Sequence, residues 1–536
     1  MKKNYLVIIT AASLVYILLA FFRINLPGVQ WDELLQAPAA VNLISKSVNG
    51  DFHQIYQHVL VGKKVPFMSH SYIGAIKSWY LALVFKIFGI SVSVYRGASI
   101  LITVAGFVVA AFLIRRMYGV IAGVVAITLI STDPSYIFIS RSDWGPVAVA
   151  FLLRMLTLYV LYVWYEGGAR RTGLLALAGV FLGLGVYDKV NFVWFVSSLV
   201  AVGIVVLAME KKINGDLYRQ IGIALIFTVA SVLPLLVFNI RYGWPTLAFV
   251  RRFGVTPSLD GYIDNLKVRI GIIYDFMNGG GMDTLFFDQG LPLYLGVVRT
   301  LLPVLFILSI SFLVYYAIKS KNIRLLFLPA LILLISIQII ISPLRIGMHH
   351  WTMIYPFPHI IVGIAAGIQI ETFRKSVIAR RTAIILVTLL VTVTVAANIR
   401  TVYGYYDQLD RTGGVQHWSA EIYNLSDLLM KKYSDRQIQV MDWGLGNNLF
   451  FLSKGTLHTH EPFWAYTENP EPDDRLRALA NDTGNLFIFN APEGTLFPLA
   501  RKAFERARLQ TGRSIKSEQR LYDRRGNMVY SIIELR

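Results

Sequence analysis

The chain divides into about eleven apolar runs, several of them 18–25 residues long, the length a helix needs to cross the hydrocarbon core of a bilayer. This pattern constrains the fold more than any other feature: the chain reads as a polytopic α-helical membrane protein. Of its 536 residues 55% are hydrophobic and 15% charged, against roughly 25% charged in an ordinary soluble protein. Cysteine is absent, which excludes a disulfide framework, a thiolate metal site and a cysteine nucleophile. A net charge of +19 would suit nucleic acid in a soluble chain. Here it is read as basic cytoplasmic loops facing anionic headgroups, with no nucleic-acid partner.

The runs fall near residues 5–22, 96–114, 120–138, 147–165, 174–186, 192–208, 221–240, 293–318, 325–341, 353–368 and 382–397. The first resembles a signal peptide but lacks a small-x-small cleavage site, so it reads as an uncleaved span with Lys2 and Lys3 in the cytoplasm. Arg115-Arg116, Arg170-Arg171, Lys211-Lys212 with Arg219, Lys319 with Lys321 and Arg324, and Arg374-Lys375 with Arg380-Arg381 then all fall on one side, the cytoplasmic side by the positive-inside rule. Residues 71–88 are long enough to span, but spanning would invert every later loop. It would also place Lys77 near mid-bilayer, at about 2.5–3.5 kcal/mol. An interfacial helix on the outer leaflet fits better.

The division that follows is a membrane part, 1–399, with outer loops 23–95 and 241–290, the second carrying a flexible Gly279-Gly280-Gly281 run, and an outer α/β domain, 400–536. In that domain amphipathic helices are expected over 419–433 and 496–509. Strands are expected over 437–441 and 486–490, with a closing hairpin, 514–522 and 528–535.

Acids are scarce in the spans and gather at their outer ends. Asp32-Glu33 follows the first span, and Asp32 reads either as a helix cap or as a functional carboxylate. Asp143, before Gly145-Pro146, has the same two readings. Arg141 suits a phosphate or a headgroup. Lys189, after Asp188, suits a phosphate contact or a snorkelling side chain. Arg96 is placed to face a cavity, and Arg345 is a further anion candidate. His349-His350 are candidate substrate or metal contacts, although neighbours on a helix point about 100° apart and would not both ligate one ion. Ionisable groups converging on one membrane face are a functional signal.

Asp32-Glu33, YRGAS (Tyr95–Ser99), RRMYG (Arg115–Gly119), SRSDWGP (Ser140–Pro146), GLGVYDK (Gly183–Lys189) and HHWTMIYPFP (His349–Pro358) occur in an order and spacing that resembles the GT-C glycosyltransferases. The resemblance is to the branch of the dolichyl-phosphate-mannose–protein mannosyltransferases and the bacterial aminoarabinose–lipid A transferases. It implies an inverting transfer of a sugar from a polyprenyl-phosphate donor to a lipid, glycan or protein acceptor at the outer face of the plasma or inner membrane. It also implies Asp32 as the base, Glu33 or Asp143 beside the oxocarbenium-like carbon, and Arg96, Lys189 or Lys77 on the phosphate. The chain has a single Asp143 where the oligosaccharyltransferase branch has paired acids, and it lacks the branch's outer-helix Pro pair, so no cofactor is assigned and a divalent metal stays open. A transporter or flippase would show repeated halves and ionisable groups near the midplane. An O-antigen ligase or polymerase would not be expected to carry an acid pair after its first span.

Overall fold

The computed structural model describes the whole chain except residues 1, 53–55, 61–62, 169–170, 254–258, 288–298 and 344–345. Among the described residues nine helices are long and apolar enough to cross a membrane. A bent pair, Val120–Ile130 and Pro134–Ser142, makes a tenth, and the shorter apolar helix Thr172–Asp188 occupies the place of the remaining run. The expected third span is therefore not straight. It turns by 68° at Ser131-Thr132-Asp133, where Pro134 has no N–H for the incoming helix and Asp133 caps the outgoing one through Tyr136 N at 2.8 Å. His359 Nε2 holds the other carboxylate oxygen of Asp133 at 3.0 Å.

The bundle is organised around Met348–Thr372, 89% of whose apolar window is buried, whereas Val377–Thr412 buries 11% and presents its sides outward. Thr172–Asp188 and Gly215–Arg241 approach through Gly179 and Gly183, a small-xxx-small pair. A Cβ on either would lie 2.3 Å from Ala224 O or 2.4 Å from Thr228 O. The Thr228 hydroxyl donates to Gly179 O across this contact, at 3.1 Å.

Residues 71–88 do not form one helix. The helix is Ile76–Phe88, 13 residues, too short to span. It follows a small antiparallel sheet of Tyr56–Leu60, Lys63–His70 and Ile73–Gly74 that the sequence reading did not anticipate. The loop after residue 240, read as extended, contains the helices Pro245–Phe253, Leu259–Met277 and Asp283–Phe287. Its glycine run is seated, with Gly281 N donating to Ser135 Oγ and Tyr405 donating to Gly279 O.

The last membrane helix continues to Thr412 before the α/β part begins. Beyond it lies a five-stranded sheet in the order His458–His460, Gln437–Val440, Asn485–Asn490, Met528–Leu535, Ile515–Tyr522. The first three strands are parallel and the last two join as an antiparallel hairpin. The helices Glu421–Lys432 and Pro498–Gln510 form where amphipathic periodicity placed them. One apolar cluster runs from this sheet (Ile438, Leu486) through Phe450 and Phe451 to Val29, Leu34, Leu81 and Tyr95, so the domain packs on the first loop.

Gly183→Val should force the two glycine-paired helices apart at about 1–3 kcal/mol, the range for overpacking. Thermal unfolding in detergent should show a lowered Tm; an unchanged Tm would contradict the contact.

Candidate functional site

The loop after the first helix is built by two buried arginines. Arg96 uses all five of its N–H donors. Nε and one Nη meet Glu33 Oε1 and Oε2 at 2.7 and 2.9 Å, and the rest donate to the carbonyls of Ile24, Pro27 and Gly28 at 2.7, 3.0 and 3.4 Å. Arg141 donates to the carbonyls of Phe22, Arg23 and Leu26 at 3.1, 2.7 and 2.7 Å and to the Tyr406 hydroxyl at 2.7 Å. Both side chains are sealed from solvent. The arginines that suggested phosphate ligands in the sequence are thus occupied with folding the loop, and Glu33 is the carboxylate that neutralises one of them.

A second buried pair lies beside the first. Lys77 Nζ is 2.8 Å from Asp143 Oδ2 and donates to the Tyr95 hydroxyl, which in turn donates to Glu33 O. Asp143 sits in the left-handed region at φ 49°, which Asp tolerates better than most residues. Its Oδ1 accepts from Val147 N and Ala148 N at 2.6 and 2.8 Å, so it caps the next helix as the simpler of the two readings expected.

Asp32 is different. It caps nothing: the following helix, Ala37–Ile44, begins after Gln36. Gln30 Oε1 fixes the turn by accepting from the backbone N–H groups of Asp32 and Glu33 at 2.6 and 3.2 Å. The Asp32 side chain is half-buried, and Trp144 Nε1 donates to its Oδ2 at 3.3 Å. Burial raises its pKa above the ordinary carboxylate value, opposed by the Trp144 hydrogen bond, the charge of Lys189 and Gln30.

Lys189 does not snorkel. It is 3% exposed and donates to Gly145 O at 3.1 Å. Its backbone is held in a bridge to Ile73, with Val190 N donating to Tyr72 O. Burial lowers its pKa to about 8, against the attraction of Asp32, Asp188 and Asp143. Gly145, at φ +77°, lets the chain pass under it: a Cβ there would be 2.7 Å from His349 Cδ2 and 2.9 Å from Lys189 Nζ. The His349 ring lies 4.6 Å from Trp144 and 4.0 Å from His350, centroid to centroid. Among the described residues no three His, Asp or Glu side chains form a metal-ligating group.

The structure therefore brings Asp32, Lys189 and His349 together around Trp144 and Gly145. It sets Lys77 with Asp143, and Arg96 with Glu33, in adjoining but closed pairs, and gives Arg141 to the loop. Arg345 lies outside the described residues. Trp144, within Ser140–Pro146, is not marked in the sequence because an indole carries no charge. Asp188 is fully buried with no hydrogen-bond partner on either oxygen among the described residues.

Arg96→Met would leave Glu33 buried without its cation and three carbonyls without a donor. The loss should be about 3–5 kcal/mol, as when one partner of a buried pair is removed. Thermal unfolding should show a larger fall in Tm for this variant than for Lys189→Met; equal falls would contradict the division between loop-building and site residues.

The family model described as dolichyl-phosphate-mannose-protein mannosyltransferase matches residues 75–237, a stretch that holds Lys77, Arg96, Asp143 and Lys189. No curated protein matches the chain. Among solved structures, ArnT from Cupriavidus metallidurans bound to undecaprenyl phosphate aligns at 13% identity over 99% of this chain and 98% of its own, with a TM-score of 0.61. The Archaeoglobus fulgidus oligosaccharyltransferase tethered with an acceptor peptide aligns at 14% identity over 94% of this chain and 72% of its own, with a TM-score of 0.53. From its first membrane helix to its C-terminal sheet, the chain has the GT-C fold of these membrane glycosyltransferases.

Proposed function

We propose that the chain is an inverting glycosyltransferase that moves a sugar from a polyprenyl-phosphate donor to a lipid, glycan or protein acceptor. Its site would be at the outer face of the plasma or inner membrane. In this reading residues 1–399 embed the donor, residues 400–536 stand outside, and the helix Val377–Thr412 carries one into the other. The observation that carries it concerns four carboxylates at this end of the bundle. Glu33 is bound to Arg96, Asp143 caps a helix and pairs with Lys77, and Asp188 is sealed. Asp32 alone among the four is partly open to an incoming molecule and has a cation at its side.

The chemistry follows from that pair. The acceptor hydroxyl gives its proton to Asp32 as its oxygen bonds to the anomeric carbon. The bond from that carbon to the phosphate oxygen breaks, and its electrons leave with the phosphate. Lys189 offers its remaining N–H donors to the departing anion, and His349 and Trp144 wall the space between. Raising the pKa of Asp32 makes it a stronger base than an exposed aspartate, while Lys189 and Trp144 keep it ionised. The undecaprenyl phosphate bound to the structurally similar ArnT supports a lipid-phosphate donor, as does a site set at the ends of apolar helices. Arg96, Arg141, Glu33, Asp143 and Lys77 act in this reading by holding Asp32 in place.

Asp32→Asn should fold with an unchanged Tm and lose about 10²–10⁴-fold in transfer from a polyprenyl-phosphate sugar. Wild-type turnover in Asp32→Asn membranes would defeat the assignment.

The pH dependence has a definite sign. Asp32, with its pKa raised, is protonated and inactive at a pH above that of an ordinary carboxylate. Lys189, with its pKa lowered to about 8, loses its charge near pH 8 instead of above 10. A kcat/KM profile, which reports the free enzyme, should fall on the alkaline side near pH 8, and Lys189→Arg should push that limb upward. An alkaline limb that does not move in Lys189→Arg would remove Lys189 from the site.

A further inference from the structure

The C-terminal domain sets a row of tryptophans against the residue that precedes Asp32. Trp31, 4% exposed, packs on Trp443 with ring centroids 5.4 Å apart and reaches Trp464 at 6.5 Å. Exposure rises along the row: Trp443 is half-buried and Trp464 is 42% exposed. Phe463 and Phe497 back Trp464 at 4.5 and 6.1 Å, and His417 stands edge-on to Trp443 at 5.2 Å. At its inner end the row joins Tyr72, which shares the cluster of Trp31 and Trp443; burial raises its pKa and the nearby Asp32 charge adds to the rise.

A half-buried acid, Glu461, stands beside the outer ring, and the buried Asp442 holds the backbone of Trp443. Trp464 Nε1 donates to Glu461 Oε2 at 3.3 Å, and Asp442 Oδ1 accepts from Trp443 N at 2.8 Å. Asn490 donates to Trp443 O at 2.8 Å. Burial lifts Glu461 to about 7, so it stands near its midpoint at neutral pH, able to accept or to donate. An acyl chain or an apolar helix seated here would strip water from this half-buried carboxyl without returning a hydrogen bond. A sugar ring returns one. Its C–H face meets the negative face of an indole, and its hydroxyl rim meets carboxyls and amides.

We propose that Trp443 and Trp464, with Glu461 beside them and the buried Trp31 behind them, form a wall that binds a pyranose unit of the acceptor and aligns it toward Asp32. This rests on the glycosyl-transfer reading, and it assigns the acceptor a carbohydrate portion and the C-terminal domain the task of holding it.

The test uses the full chain in nanodiscs and saturation-transfer NMR with three probes, mannobiose, chitobiose and maltose. Wild type and Asp32→Asn should saturate the ring protons of at least one probe. Trp464→Ala should weaken that binding about tenfold, the loss expected of an aromatic anchor, and Trp464→Phe should retain most of it. Because Trp464 is partly exposed, the Tm of both variants should match wild type. No saturation with any probe, or equal binding in Trp464→Ala, overturns the wall. A chain that binds a probe through Trp464 yet transfers no sugar from a polyprenyl-phosphate donor supports the wall and overturns the transferase reading instead.

Discussion

The site depends on how Arg96 and Arg141 are neutralised. Two guanidinium groups buried at one end of a helical bundle must find partners, because an unpaired charge in a low-dielectric interior costs several kcal/mol. They find them in the carbonyls of residues 22–28 and in Glu33. The loop in turn needs them. Its carbonyls point into protein, where no strand or helix supplies N–H groups, and buried carbonyls left unpaired are rare. Each requirement satisfies the other, and the outcome is a stretch of irregular backbone as firmly held as a helix. Asp32 sits at the end of it with its backbone N–H tied to Gln30 and its side chain left out of the network.

Lysine 77 and lysine 189 show how surroundings divide one residue type between two tasks. Lys77 faces a carboxylate, a phenol and two carbonyls, so its charge is compensated and its donors are taken. Lys189 is equally buried but has one carbonyl within hydrogen-bond distance among the described residues. Burial outweighs the attraction of Asp32, Asp188 and Asp143 and lowers its pKa, and a cation held in that condition gains most from an arriving anion. The same contrast separates Asp143 from Asp32. Charge patterning in a sequence identifies which groups lie at a membrane face. It does not identify which are spent on each other.

This is why the bundle was largely legible in the sequence and the site was legible only as a set. Hydropathy reports transfer into lipid directly, so each apolar run corresponds to a helix or a bent pair. Lys77 and Lys86 marked residues 76–88 as something other than a span. The bend at 131–133 was also written in the sequence, as Asp133-Pro134, but an apolar window averages over it. The sheet of residues 56–74 escaped notice because two of its strands are short and the longer one, Lys63–His70, contains Pro66. In the C-terminal part, strand and helix periodicities are undisturbed by a lipid face, and each expected element forms near its place, whereas the three-residue strand His458–His460 and the helices Gly446–Leu452 and Asp474–Asn481 are too short to show a period. Asp32, Lys189 and His349 lie far apart in the chain, yet they surround Trp144 and Gly145. Arg96 and Arg141 share the same motifs but not the same use, since a guanidinium suits a phosphate and a carbonyl cage equally well.

The position of the loop between two bodies explains why its sequence must satisfy both. From the bundle side, arginines hold its carbonyls. From the other side, Gly28 N donates to Trp418 O, Asn448 donates to Val29 O, and Tyr423 donates to Asn25 O. Trp418 also stands edge-on to Trp144, the indole that contacts Asp32. The environment of Asp32 is therefore set jointly by a membrane helix end and a water-facing domain. The proposed transfer, with a donor arriving through lipid and an acceptor through water, would use that geometry. In that reading Asp32 must be dry enough to stay basic, reachable from the solvent side, and fixed relative to a phosphate held in the headgroup layer. A loop anchored on one side only would meet the first requirement or the second, but not both.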